Sequence, residues 1–483
     1  MAEDISGGNM SEGKKGVKTV VKSASWYTIS ALLLRGVSII TAPIFTRLLS
    51  TSDYGLANNF TTWTQFISCI SGLGLSTAIL RGKVEFDRDY KQYLSSVQFL
   101  GFVFAGILLL IAIPFSGVLA DFMNMDQWLV IVLFVYLLVY PSVSYMRINY
   151  RFEYRYKTNI FVSVIATIGN VFTSIILILV FSNVRYVGRI LGSVIPMFVM
   201  GLIFFIQIAK EGKTGYNRDY WIYALRLGIP LIPHSLAMIV LGQIDRVMII
   251  KMCGSSQAGI YGFAYSYATI ISLLTHALNE AIQPIIYSKL KQESHESINS
   301  MTFLTTLGIL CAGFLMILLV PETFKILGTK AYYEGVYVVF PVIIGSAFQY
   351  MYQNYACVEI YYKKSIWMAV GSMLAALINA GLNYILIPRY GYMAAGYTTG
   401  FGYLFLAIFH YIGARITSGK KIYRLDHMIF FFIVGTLGGL FCHLLIDQSI
   451  FFRLAVSFLI CMGLLAMAFY FKKRYLDTEE EKA

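Results

Sequence analysis

The residues of this sequence best placed to do chemistry are ionisable side chains set inside long apolar runs. A charge at membrane depth costs at least about 2.5–3.5 kcal/mol on insertion scales, so it is kept where it is paired, faces a wet cavity or meets a ligand. Arg35 lies in ALLLRGVSII, some ten residues into its apolar run and far from either end. A second run, YALRLGIPLIPHSLAMIVLGQIDRVMIIK, holds Arg226, Pro230, Pro233, His234, Gln243, Asp245 and Arg246. Glu280 lies in a third, THALNEAIQPIIY, with His276, Asn279 and Gln283. Arginine stays charged at any working pH and offers a planar fork of donors, which suits an anion. A buried carboxylate such as Asp245 or Glu280 suits proton or cation exchange.

Asp245 and Arg246 are adjacent, about 100° apart on a helix, and cannot face each other. Each either pairs with a polar group of a neighbouring helix or lines a cavity. Glu280 is either a proton-coupling group or the partner of Arg35 or Arg226. Pro230 and Pro233 each remove a backbone donor and clash with the preceding turn, so a kink or break is expected there. Glu359 and His410 are expected at the membrane interface, and Asn170, Asn379 and Asn383 as packing groups between helices.

The elements that must position these groups follow from composition. Of 483 residues 58% are hydrophobic and 13% charged, half the charge of a soluble domain. A spanning helix needs about 20 apolar residues, and fourteen such runs, the first at 25–47 and the last at 450–471, are separated by short polar segments. The expected class is an all-α integral membrane protein with about 14 spans. The net charge of +13 sits between the runs, so it reads as topology and contact with anionic membrane lipids, with no nucleic-acid partner. Most of the 38 Lys and Arg residues fall on the side that holds the N-terminus, which places both termini in the cytoplasm. The six cysteines are dispersed and specify neither a disulfide framework nor a metal site.

An internal repeat is legible. Arg47 and Gly55, eight positions apart, recur as Lys251 and Gly259, 204 residues later. The same offset relates Val184-Arg185-Tyr186 and Gly192 to Pro388-Arg389-Tyr390 and Gly396. An even number of helices per half makes the repeat parallel, an arrangement suited to alternating access. The expected organisation is a disordered cytoplasmic tail (1–24), a six-helix bundle (25–209), a cytoplasmic linker (210–222), a second six-helix bundle (223–413), two additional helices (414–471) and a tail (472–483).

Three stretches, SWYTISALLLRGVSIITAPIFTRLLSTSDYG, LRLGIPLIPHSLAMIVLGQIDRVMIIKMCG and NYILIPRYGYMAAGYTTGFGYL, occur in order along the chain. Together they resemble the polysaccharide flippases of the multidrug/oligosaccharidyl-lipid/polysaccharide exporter superfamily. The resemblance implies a V-shaped, MATE-like pair of bundles in a bacterial cytoplasmic membrane. It also implies transfer of an undecaprenyl-diphosphate-linked glycan to the outer leaflet for O-antigen, capsule or exopolysaccharide assembly. Arg35, Arg226 and Arg246 match by position the cationic cavity it implies. A diphosphate headgroup needs such cations. No G-x-x-x-x-G-K-[ST] loop for ATP is present, so an H⁺ or Na⁺ gradient through Asp245 or Glu280 is the expected energy source, without a cofactor. A polysaccharide polymerase and glycosyltransferases are the expected protein partners.

The competing readings are a cation-coupled drug or metabolite exporter or a lipid II flippase of the same superfamily, and a membrane polysaccharide polymerase or ligase. The excess of Arg over acid within the runs argues against the first. The short loops, with no acid–base pair that can be placed, argue against an enzyme.

Overall fold

The computed structural model describes residues 41–475 apart from Tyr154 and Ser365. Arg35 and both expected tails lie wholly or largely outside the described residues. Helix is the only regular secondary structure among the described residues, as expected of a chain that must satisfy its backbone in lipid.

In chain order the helices are α1 (41–48), α2 (Thr51–Ser71), α3 (Leu75–Glu85), α4 (Tyr90–Ala112), α5 (Ser116–Met123), α6 (Gln127–Val139), α7 (Pro141–Phe152), α8 (Tyr156–Val180), α9 (Arg185–Gly212) and α10 (Arg218–Gly228). They continue as α11 (Ile232–Met252), α12 (Ser255–Ala268), α13 (Ile271–Lys291), α14 (His295–Leu318), α15 (Val320–Leu327), α16 (Val336–Tyr361), α17 (Ile366–Tyr390), α18 (Met393–Ser418), α19 (Leu425–Leu444) and α20 (Ile450–Tyr475).

Among the described residues eleven helices are long and apolar enough to cross a membrane, and twelve if the bent pair α2–α3 is one span. The expected count of fourteen is therefore not reached there. The run at 25–47 lies mostly outside the described residues. The run at 393–413 is the helix α18, whose Gly, Thr and Tyr residues keep it less apolar than the eleven.

The chain forms two compact units. The first holds residues 70–120 and 126–230. Within it α8 and α9 pack through small residues: a Cβ on Gly188 would lie 2.5 Å from the Leu177 carbonyl oxygen, and one on Gly192 2.2 Å from Ser174 Cα. Arg189 reaches Asn170 Oδ1 (3.0 Å) and Ser174 Oγ (2.7 Å), so Asn170 does bond between helices. The bend between α2 and α3 falls at Leu73 (φ 47°) and Gly74 (φ 66°), where the backbone meets Gly228 so closely that a Cβ on Gly74 would lie 2.4 Å from the Gly228 carbonyl oxygen.

The second unit holds residues 45–69, 121–125 and 231–483. Helix α16 is its spine, buried along nearly its whole length and packed on α18, α13 and α14. The two helices outside the repeat are not peripheral to it: α19 lies on α14 and α16, and α20 on α14.

The repeat offset reappears as contact. Thr51 Oγ1 lies 2.7 Å from Ser256 Oγ, and Ser52 Oγ 2.6 Å from Ser255 Oγ. Since 51 corresponds to 255 and 52 to 256, each residue touches the equivalent of its neighbour, the reciprocity of a local two-fold. Gly55 and Gly259 lie on this contact. A Cβ on Gly55 would stand 2.0 Å from the Ser255 carbonyl oxygen, and one on Gly259 1.8 Å from that of Thr51. Gly259→Ala must therefore push α2 and α12 apart. The expected cost is about 1–3 kcal/mol of overpacking, read as a lowered melting temperature of the purified protein; an unchanged melting temperature would show that the helices part freely. The downstream match does not repeat this contact: Gly192 faces α8, whereas Gly396 faces Val338 and Pro341 of α16.

One charge pair braces the unit. Arg453, 3% exposed in α20, donates to both carboxylate oxygens of Glu322 (2.5 and 2.7 Å) and to the Leu318 carbonyl (2.5 Å), tying α20 to the α14–α15 corner. Its guanidinium holds the Glu322 carboxyl below the usual carboxylate range. A depressed carboxyl contributes stability above its ordinary range and loses it as pH falls through the folded value. Acid should therefore loosen α20. Glu322→Gln leaves a buried cation unpaired and should cost about 3–5 kcal/mol, checked by thermal unfolding across pH, with the acid sensitivity of this corner removed.

Candidate functional site

The run from 218 to 252 breaks where its prolines fall. Helix α10 ends at Gly228, residues Ile229–Leu231 form a 3-10 turn containing Pro230, and Pro233 sits in the first turn of α11, where a missing N–H costs nothing. Arg226 is exposed in the last turn of α10, where the carbonyl ends of the helix favour a cation. It belongs to the first unit, and Asp245 and Arg246 to the second.

Asp245 and Arg246 both meet α12, on Tyr261 and on Tyr265 one turn later, whose ring centres lie 5.7 Å apart, but they take different kinds of contact there. Asp245 is fully buried. Its carboxylate accepts the Arg246 backbone N–H (2.8 Å) and the Tyr261 hydroxyl of α12, and the Thr399 hydroxyl of α18 stands beside it. Polar side chains continue outward from Thr399. Asn379 Nδ2 lies 3.5 Å from Thr399 Oγ1, Asn383 Nδ2 3.3 Å from Asn379 Oδ1, and Thr398 donates to Asn383 Oδ1. All four are buried. Asn379 and Asn383, expected as packing groups, thus belong to a hydroxyl–amide chain that leads to a carboxylate. Such a set of oxygens can hold a proton or a small hard cation.

Arg246 meets the next turn of α12. Its guanidinium carbon lies 4.5 Å from the centre of the Tyr265 ring, a cation–π contact that fixes it without neutralising it. The residue is half-buried, its Nε is buried with no hydrogen-bond partner, and it forms no ion pair among the described residues. A cation held by a ring rather than a carboxylate keeps its charge for an incoming anion.

Glu280 is exposed on α13 and takes no cation partner among the described residues of its unit. His234, two positions into α11 from its start, sets Nδ1 2.9 Å from Ser372 Oγ of α17.

Glu359 and His410 are not interfacial. They are 0% and 2% exposed and bound to each other, His410 Nδ1 lying 3.0 and 2.9 Å from the two carboxylate oxygens. Their places near the ends of α16 and α18 suggested contact with headgroups. The two side chains are buried against each other instead, and 51 residues of separation carried no signal of pairing.

The comparisons agree with this architecture. The fold is similar to that of the lipid II flippase MurJ in an inward closed conformation, with a TM-score of 0.67 at 13% identity over 93% of this chain and 99% of that one. It is also similar to an inward-facing multidrug resistance MATE family transporter of the MOP superfamily, with a TM-score of 0.56 at 14% identity over 81% of this chain and 95% of that one. The Lsg locus putative protein 1 of Haemophilus influenzae is 23% identical over 57% of this chain and 67% of its own length. The succinoglycan biosynthesis transport protein ExoT of Rhizobium meliloti is 22% identical over 58% of this chain and 55% of its own length. Residues 20–290, more than half of the chain, match the polysaccharide biosynthesis protein family. With its apolar helices, the chain is a multi-pass membrane protein that belongs to that family.

Proposed function

We propose that this protein moves an undecaprenyl-diphosphate-linked oligosaccharide from the cytoplasmic to the outer leaflet of a bacterial inner membrane by ion-coupled alternating access. The observation that carries the reading is the adjacent pair on α11: an arginine held by a ring contact without an ion pair among the described residues, and a buried carboxylate one residue before it. The arginine meets the diphosphate through charge-assisted, bidentate bonds, while the sugars require only hydroxyl and amide partners. Asp245 holds H⁺ or Na⁺ through its own oxygens and the Tyr261 and Thr399 hydroxyls. Both sites ride on one helix that begins at the Pro230 break, so filling either changes what the same element must satisfy. Arg226 and Arg35 are further cations for the diphosphate, and Glu280 a second acidic group on α13. The names of the relatives, a succinoglycan transport protein and a lipid II flippase, fit a lipid-linked glycan.

The test is a deletion strain scored for lipid-linked repeat units on the cytoplasmic leaflet. Accumulation relieved by the wild type and not by Arg246→Ala supports the proposal. Normal surface glycan in the deletion strain, with increased sensitivity to cationic drugs, would replace it with the exporter reading.

A further inference from the structure

Glu359 and His410 are a buried titratable pair that the site around Asp245 does not use. Two glycines clear the space for them. A Cβ on Gly413 of α18 would lie 2.2 Å from Glu359 Oε1, and one on Gly371 of α17 3.1 Å from His410 Nε2 and 2.8 Å from the Phe409 ring. The pair therefore occupies room that alanine at either position would close, in the most buried helix of the unit. Structural glue between α16 and α18 could be apolar, and apolar replacements of buried ion pairs are often neutral or stabilising.

With one proton the pair is neutral overall, whether written as carboxylate and imidazolium or as carboxylic acid and imidazole. Losing that proton leaves a buried anion, and gaining another leaves a buried cation, so exchange needs a change in the surroundings. Those surroundings include the helix that starts at the proline break. Ser372, next to Gly371, sets its hydroxyl oxygen 2.9 Å from the Ala369 carbonyl and 2.9 Å from His234 Nδ1 of α11. Moving α11 changes what lies beside His410 Nε2.

The remaining groups turned to the pair are few. Tyr352 of α16 stacks on the His410 ring (5.5 Å, 28°), and the Phe409 ring lies edge-on to it. From α17 Trp367 approaches Gly413. The turn after α16 donates the Lys364 N–H to the Glu359 carbonyl (2.8 Å), while the side chains of Lys363, Lys364 and Arg415 are exposed. Helix α13 brings Tyr287 against Tyr361 and carries Lys289 at the same end.

We infer that Glu359 and His410 form a proton-binding site, separate from Asp245, whose exchange with water follows the position of α11. Its link to transport rests on the ion-coupled reading above; proton binding itself does not. The test is infrared difference spectroscopy of the purified full-length protein across a pH titration, which reads carboxyl and imidazole groups together. The expected result is a step in which carboxyl and imidazole bands change at the same pH. Glu359→Gln and His410→Gln each keep a hydrogen-bonding side chain and should each remove both sets of bands, whereas Asp245→Asn leaves the step intact. Melting temperatures confirm that each variant is folded, and Glu359→Asp, which keeps the carboxyl, should restore the step at a shifted pH. A step unchanged in E359Q, or absent from the wild type wherever it stays folded, overturns the site. A normal step in a protein that moves no lipid-linked glycan overturns the proposed function and leaves the site standing.

Discussion

Arg246→Ala should reduce transport of a diphosphate-linked substrate by about 10–100-fold while leaving the protein folded. Charge-assisted bonds contribute about 1.5–3 kcal/mol each, and about 1.4 kcal/mol is a factor of ten. The truncation also removes the cation–π interaction with Tyr265, which is smaller, on the order of 0.5–1 kcal/mol where partly exposed. The effect should therefore show in transport and little in melting temperature. Arg246→Lys should recover part of the activity, because a point charge remains but the planar fork does not. Initial rates of glycan transfer in vesicles, with melting temperature measured alongside, check both. Full activity in the alanine variant would remove the arginine from substrate binding.

Asp245→Asn should abolish accumulation driven by an ion gradient and leave stability unchanged or raised. The amide oxygen still accepts from the Arg246 N–H, and the amide NH2 that replaces the second carboxylate oxygen donates to the Tyr261 hydroxyl, so the α11–α12 contact persists with that bond reversed. What disappears is the negative charge, and with it the means to take up and release a proton or cation. Removing a desolvated charge is itself often stabilising. Asp245→Leu should behave differently. It strands the Tyr261 hydroxyl, 0% exposed, at a cost of about 1–3 kcal/mol for an unsatisfied buried donor, so it should lower stability and transport together. Comparing gradient-driven uptake with passive exchange across the three proteins separates coupling from folding. Gradient-driven uptake by D245N at the wild-type rate would move the coupling role to Glu280 or to the Glu359–His410 pair.

What the sequence makes legible is what depends on composition and short spacing. Apolar runs give the helices, Pro230 and Pro233 mark a real break, and the adjacency of Asp245 and Arg246 already requires them to face different neighbours. The spacing of Gly55 and Gly259 is legible as a repeat, but that these two glycines meet backbone to backbone is not, since Gly192 and Gly396 share the offset and do not meet. Pairings over long separations are not legible. Glu322 and Arg453 stand 131 residues apart and Glu359 and His410 51 apart, and each pair is defined by which helices happen to pack. The asparagines of α17 read as packing because an amide's role depends on what its neighbour donates to, here a chain that reaches Asp245 through Thr399. Span α18 hides its apolarity behind the Gly, Thr and Tyr residues through which it packs against α16 and α17.

The central claim is that the protein carries a lipid-linked anion across the bilayer at the expense of an ion gradient. Its most direct measurement uses vesicles containing the purified protein and an undecaprenyl-diphosphate-linked oligosaccharide on the inner leaflet only. A glycosidase outside the vesicles reports arrival at the outer leaflet. The expected result is digestion that rises when an H⁺ or Na⁺ gradient is imposed, falls steeply in Arg246→Ala and loses its gradient dependence in Asp245→Asn. Digestion no faster than in protein-free vesicles, together with gradient-driven movement of an organic cation in the same preparation, would contradict it.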